Sequence, residues 1–255
     1  MIFQEHQQVR WAAFPGWEAD PHLLHGFSTR QGGVSKGPLR SLNLGYSEHD
    51  APENVRENRQ RFYGALGIPP ARVVLCRQVH SADVRWVQTP GAIDQCDGLL
   101  TDVPDLYLVI GVADCYTVFL ATQDRRVVAV LHAGWRGTAR RIFPRALHMI
   151  QQRSGYAPSQ VEVGISPGIG GCCYEVGDEV ADRFPHTVRE LRNGSIYLDL
   201  ASALVRQAEE AGIPADQIYQ AHQCTSCHPE HWFSYRRDQG ITGRMWGVIA
   251  TRKGK

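Results

Sequence analysis

The stretch LYLVIGVADCYTVFLATQDRRVVAVLHAGWRG, residues 106–137, decides how this chain folds. Leu106–Val112, Val118–Ala121 and Val127–Leu131 are short runs rich in β-branched and aliphatic side chains, the composition of buried strands. No helical pattern separates them, so these strands follow one another directly. Working outward, Val73–Leu75, Val84–Val87, Val161–Ile165 and Trp246–Ala250 read the same way. Helices are expected at three places. Asp50-Ala-Pro-Glu53 has the form of a capping box, with Val55, Phe62, Tyr63 and Leu66 sharing an inward face and Gly67 with Pro69 as the stop. A second helix is expected from about Thr138 to Arg153, with a kink or restart at Pro144. A third starts at Asp199, with Leu200, Ala203, Leu204 and Ala208 at helical spacing. Consecutive strands without a helix after each predict an α+β fold rather than a doubly wound sheet.

The 255 residues show no repeat, low-complexity tract or long polar linker, so one domain over residues 1–255 is expected. A formal net charge of +1 provides no broad attraction to nucleic acid or anionic membrane. Residues 1–6 do not form a positive start followed by an apolar core, so no secretory signal is expected. The apolar stretch from Leu106 to Ala121 is interrupted by Asp114 and is too short to span a bilayer. Seven cysteines without a regular framework point to free or metal-bound thiols in a reducing cytoplasm.

Three residues at strand ends draw chemistry together. His80 follows Val73–Val79, Cys115 follows Val109–Asp114, and His132 closes Val127–Leu131 and opens the turn Ala-Gly-Trp-Arg-Gly. Two imidazoles and one thiolate are a zinc-type ligand set, and three protein ligands leave a fourth position open. Taken singly, each has a bland reading as a core histidine or a buried thiol. An Asp beside Cys115 after so apolar a run calls for a partner. The two glycines around Trp135-Arg136 suit a tight turn, with Arg136 available for an anion.

Several phrases together are similar to the bacterial YfiH/YlmD-type family, whose human relative is called laccase domain-containing protein. They include Gly26–Arg30 with Gly32–Ser35, Leu42–Gly45, Gln78-Val79-His80 and Asp97–Thr101. Ala113-Asp114-Cys115, His132–Thr138, Gly164–Ile169, Cys173–Val176, Cys224-Thr225 and Phe233–Asp238 follow in order. The resemblance implies layered mixed β-sheets flanked by helices and a zinc on His80, Cys115 and His132. It implies purine nucleoside chemistry: phosphorolysis of adenosine, inosine, guanosine and methylthioadenosine, with adenosine deamination as a second activity. Older labels for the family are polyphenol oxidase (laccase) and peptidoglycan-editing factor.

Residue chemistry ranks these labels. Blue-copper oxidases use paired His-x-His motifs, and this chain has none, only His-x-x-His at His22/His25 and His228/His231. One copper at the trio is compatible with its donors; a four-copper oxidase is not. Phosphorolysis needs a phosphate site, a ribose site and stabilisation of the departing purine. Arg136 is the first candidate for phosphate, then Arg30 and Arg236, since a guanidinium binds two oxygens at once. The Gly32-Gly33 turn would add backbone donors. Asn43 is a candidate for sugar or base, and Asp97 and Asp114 are candidate acceptors near the reacting groups or behind a metal histidine. Deamination would also need a carboxylate beside the metal, a role falling to Asp114 or Glu175. Without metal, Cys115 and His132 would form a nucleophile–base pair oriented by Asp97 or Asn43, the signature of a hydrolase or amidase. A metal or nucleotide sensor without turnover is the non-enzymatic reading.

Two further features stand apart. Cys224-Thr-Ser-Cys227-His228 has the c-type haem attachment pattern, and Cys172-Cys173 would complete a second zinc site with Cys224 and Cys227. The four are read here as structural thiols. Trp232, Phe233 and Tyr235 are candidates for a base-stacking pocket or for core.

Overall fold

The computed structural model describes residues 1–47 and 49–253. Among the described residues, sixteen strands form three sheets. The largest has seven strands in the order β1 (Ile2–His6), β2 (Val9–Ala13), β3 (Leu23–Ser28), β16 (Met245–Thr251), β8 (Tyr107–Val112), β4 (Val73–Arg77) and β6 (Gly91–Asp94). Its neighbours are antiparallel as far as β8, then parallel through β4 to β6. A six-stranded sheet runs β15 (Ile218–Gln220), β11 (Val161–Ile165), β9 (Tyr116–Thr122), β10 (Val128–Ala133), β7 (Gly98–Thr101) and β5 (Val84–Trp86). A small third sheet joins β12 (Glu175–Val176), β14 (Ser195–Leu198) and β13 (Arg189–Arg192).

The two large sheets pack face to face. Phe27, Leu108 and Ile110 of the first meet Leu99, Phe119 and Val130 of the second in a dry layer. Gly247 on β16 makes the approach close: a Cβ there would lie 2.5 Å from Thr117 Cγ2 and 2.9 Å from Phe119 Cζ. The outer face of the first sheet is covered by α1 (Pro52–Leu66), through Phe62, Tyr63 and Leu66 against Trp11, Val109 and Trp246. The outer face of the second is covered by α3 (Ile142–Ser154) and α5 (Leu200–Glu210). Two short helices, α2 (Trp135–Ala139) and α4 (Asp178–Ala181), complete the chain. The result is the expected α+β class, arranged as helix, sheet, sheet, helices. Among the described residues, no helix is long and apolar enough to cross a membrane.

The strand runs read from the sequence all appear, within a residue or two of their expected ends. β1, β2, β3, β6, β7 and β12 to β15 escape the sequence reading: Ile2–His6 of β1 is largely polar and pairs only at the sheet edge, and β6, β7 and β12 to β15 are each 4 residues or shorter. Asp50 does not cap α1: Ala51 is the N-cap, Pro52 opens the helix, and Asp50 instead accepts hydrogen bonds from Ser35, Asn43 and Asn54. The expected helix from Thr138 is two helices. Arg141, at φ +61°, turns the chain between them, and Pro144 falls in the first turn of α3, where its missing N–H costs nothing. Asp199 caps α5 by accepting from Ser202 N at 3.1 Å.

His25 is a core residue. Its Nε2 accepts the Phe14 N–H at 2.8 Å, and burial pushes its pKa down to about 3. The unfolded chain therefore binds a proton here that the folded chain refuses. Stability is full above about pH 6.5 and falls as pH drops from there toward about 3, by a few kcal/mol at the acid limit. Chemical denaturation across this range should show the decline, blunted in His25→Gln; parallel profiles for the two proteins would assign the acid loss elsewhere.

Candidate metal centre and cavity

Three connections cross from the first large sheet to the second, and two of them carry a side chain of the trio. His80 lies between β4 and β5, and Cys115 between β8 and β9. His132 stands in β10, one residue from its end. The crossing places one donor atom from each within 4.8 Å of the others. The two imidazoles meet edge to face, with centroids 4.8 Å apart and planes at 74°.

Both crossings are held in unusual backbone. His80 sits at φ +57°, and the loop around it closes on Asp97. That carboxylate accepts the N–H groups of Val79 at 3.2 Å, His80 at 3.1 Å and Ser81 at 2.6 Å, and the Ser81 hydroxyl at 2.8 Å. Asp114 sits at φ +83°, a conformation that Asp tolerates better than most residues. Its carboxylate accepts the Thr225 hydroxyl at 2.6 Å and the Arg236 N–H at 2.7 Å, while its carbonyl takes the Ile169 N–H at 2.8 Å. Asp114 thus pins the turn that presents Cys115. Gly134 completes the cradle: a Cβ there would lie 2.8 Å from Cys115 Sγ and 3.7 Å from His80 Nδ1. Gly134→Ala is expected to displace the thiol and weaken metal retention at least tenfold, with little change in melting temperature. Dialysis against a graded chelator followed by metal analysis reads this directly; unchanged retention would mean that the turn yields freely.

Asp97 is fully buried, and its Oδ1 lies 2.7 Å from His132 Nδ1. This contact puts the proton on Nδ1 and leaves the Nε2 lone pair for a metal. Burial alone would push the pKa of His132 down; the facing Cys115 sulfur and the Asp97 carboxylate reverse this and push it up to about 9. His80 goes the other way, lowered by burial and by the positive charge of His132, Arg136 and Arg244. Asp97 stays ionised: burial opposes it, but the hydrogen bonds from His132 and Ser81 win and lower its pKa. A soft divalent cation suits two imidazoles and a thiolate, and would replace the proton that His132 otherwise holds.

The cluster opens into a cavity of about 960 Å³. Arg59, Arg77, Arg136, Arg236 and Arg244 line it, against one acidic residue, Asp114. Its walls are aromatic: Tyr46, Trp135, Tyr174, Tyr235 and Trp246. Four of the arginines lie over these rings. Arg136 is 4.3 Å from the Trp135 centroid, Arg59 4.3 Å from Tyr46 and 4.5 Å from Trp246, Arg236 5.2 Å from Tyr174, and Arg244 5.7 Å from Tyr235. A positive, partly desolvated, aromatic-walled pocket suits a flat ring joined to an anion.

The structure distributes the other candidate residues unevenly. Asp114, Arg136 and Arg236 line the cavity, and Asp97 stands behind His132. Arg30 is outside it, donating to the carbonyls of Arg40, Pro229 and Pro38 and lying over Phe233. Asn43 also lies behind the wall, where its amide holds Gly45, Asp50 and the Arg244 N–H. The Gly32-Gly33 turn packs on backbone: Cβ atoms there would meet Gln8 O at 2.3 Å and Ser41 O at 2.2 Å, so it presents no anion cradle. Trp232 and Phe233 are buried core, whereas Tyr235 faces the cavity. Glu175 accepts the Ser195 hydroxyl at 2.7 Å and is not among the residues that line the cavity. Arg59, Arg77 and Arg244 were missed. A signal for Arg59 existed, since Val55, Arg59 and Phe62 share one helical face; for Arg244 there was none.

A family model described as multi-copper polyphenol oxidoreductase laccase matches residues 24–252. The chain belongs to this laccase-type family. Curated relatives of this laccase-type chain include purine nucleoside phosphorylase YlmD of Geobacillus stearothermophilus, 39% identical and covering 89% of this chain and 90% of the relative. A purine nucleoside phosphorylase of Deinococcus radiodurans is 40% identical, covering 88% of each. The crystal structure of YlmD from Geobacillus stearothermophilus superposes with a TM-score of 0.91 at 37% identity over 99% of both chains. That of the Bacillus licheniformis hypothetical protein YfiH gives 0.90 at 32%, over 98% of this chain and 99% of the other. Although the family description speaks of several coppers, among the described residues only one donor cluster contains histidine, and it holds two.

Proposed function

We propose that this chain is a purine nucleoside phosphorylase that binds zinc through His80, Cys115 and His132, with copper as the alternative metal. The observation that carries the reading is the position of this donor trio in a cavity with five arginines and five aromatic rings. Adenosine, inosine, guanosine and methylthioadenosine are the proposed substrates, and the names of the relatives support this class. In phosphorolysis a phosphate oxygen bonds to C1′ as the bond from C1′ to the purine nitrogen breaks. The electron pair leaves with the purine. Arg136 and Arg236 would orient phosphate through paired N–H donors. Tyr174 and Tyr235 would stack the base, and the arginine field would oppose the charge growing on the leaving ring. Bound zinc would add Lewis-acid stabilisation of developing negative charge.

Adenosine deamination is proposed as a second activity of the same cavity. Asp114 lines that cavity, whereas Glu175 is committed to Ser195. Seven free thiols suit a reducing, cytoplasmic setting.

One observation favours a second reading. Cys115 stands beside His132, with donor atoms within 4.8 Å, and His132 Nδ1 lies 2.7 Å from Asp97 Oδ1, the order of a thiol nucleophile, its base and an orienting carboxylate. Zinc and free nucleophile exclude each other at one sulfur, so metal content separates a phosphorylase from an amidase of peptidoglycan editing. The test is chromatography of metal-quantified protein with adenosine or inosine, with and without phosphate. Phosphate-dependent base release that is lost on chelation is expected, with inosine appearing from adenosine if deamination operates. A fully zinc-loaded protein yielding no base would overturn the proposal, and a metal-free active hydrolase would establish the alternative.

A further inference from the structure

The four remaining clustered cysteines lie apart from the cavity trio. Cys172 and Cys173 follow β11, on the loop that begins at Ser166, and Cys224 and Cys227 follow β15. β11 and β15 are parallel neighbours at the edge of the six-stranded sheet, so both loops leave the same end of the sheet. A bridge between Gly168 and Cys224 and the Thr225 N–H to Gly168 O bond at 2.9 Å hold the loops side by side. All four sulfurs then fall within 4.8 Å of one another. Cys227 Sγ is 3.6 Å from Cys172 Sγ and 3.4 Å from Cys173 Sγ.

We infer that Cys172, Cys173, Cys224 and Cys227 form a second metal site, a structural zinc tetrathiolate. Three observations support it. First, zinc–sulfur bonds of about 2.3 Å in a tetrahedron put sulfurs about 3.8 Å apart, close to the observed separations. Cys227 stands nearly midway between two candidate partners, which suits one shared ion better than one disulfide. Second, Cys224 Sγ receives the Gly170 N–H at 3.3 Å. A backbone N–H aimed at sulfur favours the thiolate, since a neutral thiol is a weak acceptor. Third, the loop is shaped around sulfur: a Cβ on Gly170 would lie 3.3 Å from both Cys172 Sγ and Cys224 Cβ. A closed set of four thiolates leaves no open position, the mark of a structural rather than a catalytic site.

The Cys-x-x-Cys-His phrase therefore belongs to a metal knuckle and not to haem attachment, because Cys224 is turned into this cluster. The zinc would tie the loop after β11 to the loop after β15. Through them it would brace the cavity: Tyr174 follows Cys173 directly, and Thr225 follows Cys224 and holds Asp114 at 2.6 Å.

The test uses the full chain carrying His80→Ala and Cys115→Ala, which leaves all four cysteines intact and keeps His132 paired with Asp97. Purified with added zinc and no chelator, it should retain one equivalent of zinc per chain. A thiol reagent should find these four cysteines protected until zinc is stripped. Cobalt substitution should give the sulfur-to-cobalt charge-transfer band and intense visible bands of a tetrahedral tetrathiolate. Adding Cys172→Ser and Cys227→Ser, at the two most exposed positions, should remove that equivalent and those bands. Zinc below a tenth of an equivalent in the trio variant, with four freely reactive thiols, would overturn the inference. So would disulfides among these cysteines in mass spectra of the unreduced protein, or iron in place of zinc. Because the readout is metal and thiol chemistry, it stands or falls independently of phosphorolysis.

Discussion

Cys115→Ala is expected to abolish metal binding at the trio and to lower phosphorolysis by about a thousandfold or more. A metal acting on developing charge supplies several kcal/mol, and each 1.36 kcal/mol is tenfold in rate. His80→Ala and His132→Ala should have the same effect on turnover, but their structural costs differ. His80 is half-exposed, and Cys115 borders the cavity, so deleting either side chain opens space that water can fill. His132 is buried against Asp97, and its removal strands a carboxylate in a site built for it. Loss of one partner of a buried charged pair typically costs about 3–5 kcal/mol. Cys115→Ala is therefore the clean variant: melting temperature near the parent, zinc reduced by one equivalent, base release gone. Full phosphorolysis by a Cys115→Ala protein shown to hold no metal at the trio would sink the metal assignment. Hydrolysis that survives in wild-type protein stripped of metal but dies in Cys115→Ala would instead identify the thiol as nucleophile.

The trio was legible because it combines rare ligand types with strand ends, two features a sequence displays locally. β4, β5, β8, β9, β10, β11 and β16 were legible for a similar reason, since a buried strand shows as a run of apolar, β-branched side chains; β6, β7 and β12 to β15, each of four residues or fewer, offer too short a run to read. Residues whose role depends on distant partners were not. Arg30 and Arg244 are indistinguishable as residue types, yet Arg30 spends its donors on three carbonyls, two of them nearby in sequence and one from Pro229. Arg244 donates to the carbonyls of Thr242 and Gly243 and still borders the cavity. Asp50 illustrates the same point in a helix cap: its spacing to Glu53 was right, but Ser35 and Asn43 claimed its oxygens. The four-cysteine cluster lay between. Cys-x-x-Cys was visible, but only the parallel pairing of β11 with β15 shows that Cys172-Cys173 arrives beside it.

Asp97→Asn is expected to damage the centre nearly as much as losing a ligand, although the variant changes one oxygen to a nitrogen. The two carboxylate oxygens of Asp97 serve five donors: the N–H groups of Val79, His80 and Ser81, the Ser81 hydroxyl, and His132 Nδ1. None of these partners can accept a proton except the Ser81 hydroxyl and the imidazole. An asparagine NH2 group placed at Oδ2 would face two backbone N–H groups and force the loop that holds His80 at φ +57° to open. Placed at Oδ1, it would donate to His132 Nδ1 and shift the histidine proton to Nε2, removing the lone pair a metal needs. Either orientation weakens the centre, the first through His80 and the second through His132. Changing a partner behind a metal histidine typically costs about 10–100-fold in affinity or activity, and here one substitution reaches two ligands, so zinc affinity should fall by the upper end of that range. Competition with a fluorescent chelator measures it, and a nitrogen-resolved NMR spectrum of the imidazoles reports which tautomer His132 adopts. Parental zinc affinity with the proton still on Nδ1 would show that the loop and the histidine are held by something other than this carboxylate.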